Sequence, residues 1–422
     1  MSIEQNTPST ENQAALAASV EIPSYTQKQT IGQLLRGDLG SLPVLLTLIV
    51  IAIYFTATTN GLFLSPTNLS NLLQQIITTG VDALGVTLVL LLGEIDLSIA
   101  AVGTFAAVVM GVLMNYHGFP AWEAILVGIL AGALAGAING YFIAVLRIPS
   151  FIVTLAASIF YAGLLLNLLN GQATLIIQDQ FVLGIAGSST SFLPDYLGVG
   201  LPTLILLLYA AGLIVDHVAR QRVGLRAKPL LQLVVQIGLA VVIVEGTVAV
   251  LENTPSATPG IYLGVPNSAA ILFALILILW LVLTKTTFGR HLYAVGGNME
   301  AARRAGINVV FIRITAFTLC STLASVGGIL AASYANSVAT QINPSLLLDA
   351  IAAAVIGGTS LFGGTGSVWN IVLGALIIGS LENGLDLKSQ GSDVKQMVEG
   401  VVLLFAVTVD ALVRRAQRRS GR

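Results

Sequence analysis

Asp82 stands near the centre of the apolar run 71–93. A carboxylate inside a membrane-length apolar segment is costly, and it faces a cavity or a partner. Two readings are open for it: a titrating group on a pathway, or a structural group hydrogen-bonded to Thr78, Thr79 or Thr87 of its own helix face. Glu94 and Asp96 follow in Gly93-Glu-Ile-Asp-Leu-Ser98. Either they line a pathway at a broken helix, because Gly93 interrupts an apolar run, or Asp96 is the N-cap of the next helix in contact with inner water. Asp349, Glu382 and Glu399 fall near outer helix ends, where they are expected to meet water, and Asp349 is also kept as a pathway residue. Glu245 has no explanation in the sequence.

Other chemistries are excluded by what is missing. A phosphate loop needs Gly-x-x-x-x-Gly-Lys-Ser/Thr, and no Gly-Lys pair occurs. Gly358-Thr-Ser-Leu-Phe-Gly363 has the glycine spacing, but Gly364 follows where lysine is required. The chain is therefore expected not to be an enzyme that hydrolyses ATP. His117, His217 and His291 make no His-x-x-x-His pair and Cys320 is a single cysteine, so no metal, cofactor or disulfide framework is expected. A net charge of −1 argues against nucleic acid as a partner.

The segment from Gly289 to Asn308 carries a different signal. Asn298 can cap a short helix, with Glu300 at its dipole-favoured first turn. Arg303 and Arg304 end it and Gly306 suits a left-handed stop. So short a helix does not hold alone in water, so it is expected to form in the groove of a partner, with Ala301 and Ala302 allowing close docking. The plainer reading is a basic connecting loop. In the 121–146 span, Gly132, Gly136 and Gly140 recur every fourth residue and make one flat face for a neighbouring helix, within or between subunits.

The elements that must position these residues are membrane spans. The chain has 422 residues, 55% hydrophobic and 9% charged, with a mean hydropathy of +0.90. A soluble domain carries roughly 25% charged residues, so the solvent for most of this chain is lipid. The 43 glycines suit helices that pack backbone to backbone. Spans of roughly 20 apolar residues are expected at 41–58, 71–93, 98–115, 121–146, 150–170, 201–216, 229–250, 268–284, 309–333, 346–363, 368–385 and 396–413. The fold class is therefore an all-α, polytopic transmembrane protein of about 12 spans. The 346–363 span is the weakest of these, because its purely apolar stretch is short and runs into Gly357-Gly358.

Residues 1–40 read as a polar cytoplasmic tail without signal-peptide pattern. The transmembrane body is 41–413, and 414–422 is a basic cytoplasmic tail. With both termini in the cytoplasm, 17 of the 19 Lys and Arg fall inside, and Lys388 and Lys395 fall outside. Loops 171–200 and 251–267 are then outside, and 217–228 and 285–308 inside.

These motifs together resemble one family. The 289–308 segment, with Gly296 and Gly297 ahead of the capped turn, is similar to the cytoplasmic coupling helix of the sugar-type permease subunits of bacterial ATP-binding-cassette importers, the ribose, galactose and xylose group. Gly93-Glu-Ile-Asp-Leu-Ser98, Pro149-Ser-Phe-Ile-Val-Thr-Leu155, the run Asp349 to Ser360 with Gly357 and Gly358, Gly363-Gly364, and Asn383-Gly384-Leu385 resemble that family's signatures in order. The likeness covers about 71–170 and 284–413. The chain departs from ribose-type members at about 201–266, where they have one span and this chain has room for three, as in the longer xylose-type permeases. The resemblance implies a homodimer in the bacterial inner membrane, with a pathway between two copies. It also implies a cytoplasmic ATP-binding subunit on the coupling helix and a periplasmic sugar-binding protein outside. The cargo would be a monosaccharide such as xylose. An ion-coupled sugar symporter using Asp82, or the same importer family carrying a nucleoside or signalling molecule, are the alternatives.

Overall fold

The computed structural model describes residues 42–187, 191–224, 229–255 and 262–419. The polar tail 1–40, Arg226 and Lys228 of the 217–228 loop, and the end of the chain from Ser420 lie outside the described residues.

The apolar runs become helices: α1 Leu42–Thr58, α2 Pro66–Leu90, α3 Ile99–His117, α4 Ala121–Ala144 and α5 Ser150–Leu168. A short strand β1 Thr174–Ile176 and α6 Gln180–Ala186 precede α7 Asp195–Arg222, α8 Leu230–Glu252 and α9 Asn267–Lys285. Then come α10 Thr287–Gly297, α11 Met299–Arg304, α12 Val309–Ala335, β2 Ser337–Ala339, α13 Pro344–Ile356, α14 Val368–Leu387 and α15 Ser392–Arg419. Among the described residues, nine helices are long and apolar enough to cross a membrane, and α1 and α13 are shorter apolar ones.

Side-chain caps fix several starts. Ser65 accepts from the Asn68 N–H ahead of Pro66, so α2 begins five residues before the expected span. Asn308 caps α12 through the Phe311 N–H, and Asn343 caps α13 ahead of Pro344. Gly357 ends α13, and Gly358 turns the chain with φ +86°. The expected span 346–363 is thus a 13-residue helix followed by an irregular loop. The expected tail 414–422 is helical as far as Arg419, within α15.

Helix α2 is the axis. Its residues from Thr79 to Leu90 are all buried, and α3, α9, α12, α13 and α14 pack around it. Of its most apolar stretch 83% is buried, against 11% for α7 and α8. The additional helix pair is therefore a lipid-facing flank. Its acid Glu245 accepts from the Thr203 hydroxyl at 2.9 Å, one helix pinned to the other.

The fold is not wholly helical. Strands β1 and β2 pair antiparallel, Leu175 opposite Val338. This ribbon closes one end of the bundle, where Gly111 of α3 lets Val338 and Leu175 approach. The opposite end carries α10 and α11.

Candidate functional site

A cavity of about 510 Å³ runs inward from the ribbon end. Helix α2 lines it with Gln74, Thr78 and Asp82, α3 with Thr104, α12 with Tyr334, and the segment after β2 with Gln341. Asp349 of α13 and Glu382 of α14 complete it. The structure thus brings Asp82 and Asp349 to one space. Glycine makes room for Asp82, because a Cβ at Gly327 of α12 would collide with its Oδ1.

The hydrogen bonds expected for Asp82 from its own helix are not made. Its Oδ1 has no partner among the described residues, and Thr87 turns instead to Thr359, 3.5 Å away. Asp349, Glu382 and Glu399 do not simply meet water either. Their carboxylate oxygens lie within 4.8 Å of one another, because α13, α14 and α15 pack together and bury Asp349 to 2% exposure. Below Asp82 every residue of α2, with Leu91 and Leu92 after it, is buried.

Glu94 and Asp96 lie elsewhere, in the connection after α2. Gly93 breaks the helix with φ +76° against the Phe362 carbonyl. Glu94 Oε1 is held by Arg313 of α12, by Nη2 at 2.6 Å and Nε at 2.6 Å. Burial pushes the Glu94 carboxyl above its usual range, and the Arg313 guanidinium opposes that rise. Asp96 is not the N-cap and does not meet water. It accepts from the Ser98 N–H at 2.8 Å and Ser98 Oγ at 2.6 Å, while Ser98 itself precedes α3 without a side-chain cap. Asn139 of α4 donates to Ser98 Oγ at 3.1 Å, and Thr154 of α5 accepts from the Leu97 N–H at 3.0 Å. These residues form a polar latch joining α3, α4, α5 and α12, apart from the cavity.

Breaking that latch is expected to be expensive. Arg313→Leu strands a buried carboxylate, a loss of roughly 3–5 kcal/mol. The double change Arg313→Leu with Glu94→Leu removes both charges and should recover most of the thermal midpoint lost in the single variant. Equal midpoints for the single variant and the unaltered protein would show the pair to be structurally idle.

The segment at the other end is ordered by its own chain. Asn298 accepts from the Ala301 N–H at 2.9 Å and caps α11. Glu300 pairs with Arg303 and Arg304, each at 3.3 Å, and Gly306 takes φ +84° as its left-handed stop requires. Two expectations fail. Ala302 is 5% exposed and belongs to the hydrophobic core, with Met299 and Ile307 packed against it, so it offers no docking surface. For the same reason α11 needs no partner's groove to form. What it leaves open to a partner is Glu300, Ala301, Arg303 and Arg304, with Ala305 and Gly306 after it.

Behind it three stretches of main chain meet, at Leu91–Gly93, Gly296–Gly297 and Phe362–Gly364. The Gly364 N–H donates to the Leu91 carbonyl at 2.9 Å. A Cβ at Gly296 would collide with that same carbonyl, one at Gly364 would lie 2.9 Å from the Gly297 Cα, and one at Gly363 would lie 2.8 Å from the Gly296 carbonyl. The glycine face of α4 packs on α12 of the same chain. Gly132 faces Ser325, Gly136 the Phe317 carbonyl and Ser321, and Gly140 the Ile314 backbone. Gly357 admits the Asn370 carbonyl, 2.8 Å from where its Cβ would stand. Sequence reasoning missed Arg313, Gln74 and Tyr334. Only Gln74 left a signal, because Gln74, Thr78 and Asp82 recur every fourth residue along one helix face.

Comparison with known proteins gives the family. Residues 68–407 match the family described as branched-chain amino acid transport system / permease component. The xylose transport system permease protein XylH of Escherichia coli (strain K12) is 35% identical over 368 residues, covering 87% of this chain and 91% of that protein. XylH of Haemophilus influenzae is 34% identical over 375 residues, covering 87% of this chain and 95% of that protein. The ribose import permease protein RbsC of Bacillus subtilis (strain 168) is 32% identical over 352 residues, covering 83% of this chain and 87% of that protein. No solved structure matches the chain significantly. A multi-pass helical protein with such relatives is a transport component of the bacterial plasma membrane rather than an enzyme. With four-fifths of its length matched and the signatures around Gly93, Pro149 and Gly357 built into one bundle, the chain belongs to the permease-component family that includes the xylose and ribose permeases.

Proposed function

We propose that this chain is the membrane-spanning subunit of an ATP-driven, binding-protein-dependent importer, and that its cargo is a monosaccharide, a xylose-like pentose or a related sugar. The observation that carries this reading is the polar cavity at the ribbon end, with α2 buried beneath Asp82, in a chain whose relatives are xylose and ribose permeases. Two copies pair, and the pathway lies between them. A cytoplasmic ATP-binding subunit docks on the exposed side of α11, and a periplasmic sugar-binding protein delivers cargo at the ribbon end. Twelve crossings, with both termini cytoplasmic, agree with the bundle. The ribbon follows α5 and α12 and packs beside Gly111 towards the end of α3, while α10 and α11 lie between α9 and α12 at the other end. ATP binding closes the ATPase pair, moves α10 and α11, and opens the segment buried below Asp82.

The test is uptake of labelled D-xylose into vesicles holding the permease, its ATP-binding subunit and the binding protein. Uptake is expected to need internal or external ATP on the ATPase side and to ignore a proton gradient. Asp82→Asn keeps the size of the side chain while removing its charge and its capacity to carry a proton, and is expected to leave ATP-driven uptake within a few-fold of the unaltered protein. Uptake driven by a proton gradient without the ATPase, abolished by Asp82→Asn, would establish an ion-coupled symporter instead.

A further inference from the structure

Ser70, Gln74, Thr78 and Asp82 recur every fourth residue of α2 and form one stripe along its face. Ser70, Gln74 and Asp82 are 2%, 1% and 2% exposed. Ser70 Oγ, both amide atoms of Gln74 and Asp82 Oδ1 have no hydrogen-bond partner among the described residues. Buried polar groups in folded proteins are almost always paired, and each exception calls for an occupant. Among the described residues four of the eleven such atoms stand on this one face of the central helix, and Gln74, Thr78 and Asp82 all border the cavity.

The chemistry of the stripe selects the occupant. A carboxylate amid buried groups repels an anion. The cationic side chain at the cavity, Lys395, is engaged by Asp386. A primary amide offers a donor and an acceptor side by side, and a threonine hydroxyl offers both. That set matches neighbouring hydroxyl groups on a neutral molecule, each of which also donates and accepts. Four residues of helix rise about 6 Å, comparable with the breadth of one sugar ring, so Gln74 with Thr78 can hold a ring and Asp82 can receive it one turn deeper.

We propose that Gln74 and Thr78, with Asp82 below them, form a polyol-binding site inside the permease that reads adjacent hydroxyl groups and adds selectivity to that of the binding protein. The site rests on the importer reading for its biological use, but its binding chemistry is independent of the energy source.

The test uses the full chain purified in detergent, with D-ribose and 2-deoxy-D-ribose at millimolar concentration and saturation-transfer NMR as the probe of binding. The unaltered permease is expected to bind D-ribose at least fivefold better than the 2-deoxy sugar. Gln74→Leu is expected to lose D-ribose binding at least tenfold while its thermal midpoint stays the same or rises, because the leucine removes unpaired buried groups. Gln74→Glu is the second variant: it keeps an acceptor, and binding is expected to be intermediate. A lower midpoint in Gln74→Leu with sugar binding intact would make Gln74 structural and overturn the site. So would equal binding of the two sugars by the unaltered protein. Sugar binding lost in Gln74→Leu, but with no ATP-driven uptake by the unaltered complex, would uphold the site and overturn the importer reading.

Discussion

Gly136→Val is expected to leave little folded permease in the membrane. A Cβ at position 136 would run into the Phe317 carbonyl, with Ser321 Cβ at 2.6 Å and Oγ at 2.7 Å. The obstacle is backbone, so no rotamer change relieves it. Nor can α4 tilt away locally, because one turn on, a Cβ at Gly140 would lie 2.8 Å from the Ile314 Cα. Overpacking ordinarily costs about 1–3 kcal/mol, and a contact fixed on both sides belongs at or above the top of that range. Gly132→Ala should be milder, since its nearest obstacle is the Ser325 hydroxyl at the end of a rotatable side chain. Gly163→Ala, with nothing within 4 Å, is the neutral control. The measurements are the amount of protein in the membrane and the thermal midpoint in detergent. Equal midpoints for Gly136→Val and Gly163→Ala would mean that α4 and α12 are not in the close contact described.

The second large effect separates two neighbouring alanines. Ala301→Glu places a charge on the exposed side of α11, and we expect at least a tenfold loss of both co-purified ATP-binding subunit and ATP-driven uptake, with the permease itself accumulating normally. Ala302→Glu buries an unpaired carboxylate in the core beside Met299 and Ile307, and is expected to lower the amount of folded permease instead. Arg303→Gln, on the exposed side and paired only with Glu300, serves as the control of milder effect. Retention of the subunit and full uptake in Ala301→Glu would reduce α11 to a basic connector.

Local signals made much of the fold legible. Apolar runs, the Asn298 cap and the Gly306 stop are properties of a few adjacent residues, and the structure follows them. The four-residue glycine period on α4 likewise specified a packing face, though which chain it packs on needed the structure. What depended on distant partners was not legible. The β ribbon joins Thr174–Ile176 to Ser337–Ala339, each three residues long and without any alternation to betray a strand. Arg313 meets Glu94 from 219 positions away. Asp349, Glu382 and Glu399 come together because three helices turn the same way, a rotation that an almost uniformly apolar helix does not encode. Six residues of α11 define no clear face either, which is why Ala301 and Ala302 read alike in the sequence although only Ala302 is buried.

The meeting of Gly93, Gly296, Gly363 and Gly364 bears on how force moves through the bundle. Side chains at a joint can swing between rotamers and take up displacement, as a cushion would. This joint is main chain on main chain, and the Gly364 N–H to Leu91 carbonyl bond ties two of its parts together. Few rotatable groups stand between its parts. Under the importer reading proposed above, a thrust delivered to α10 would reach the base of α2 and the 358–366 loop with little side-chain play to take it up.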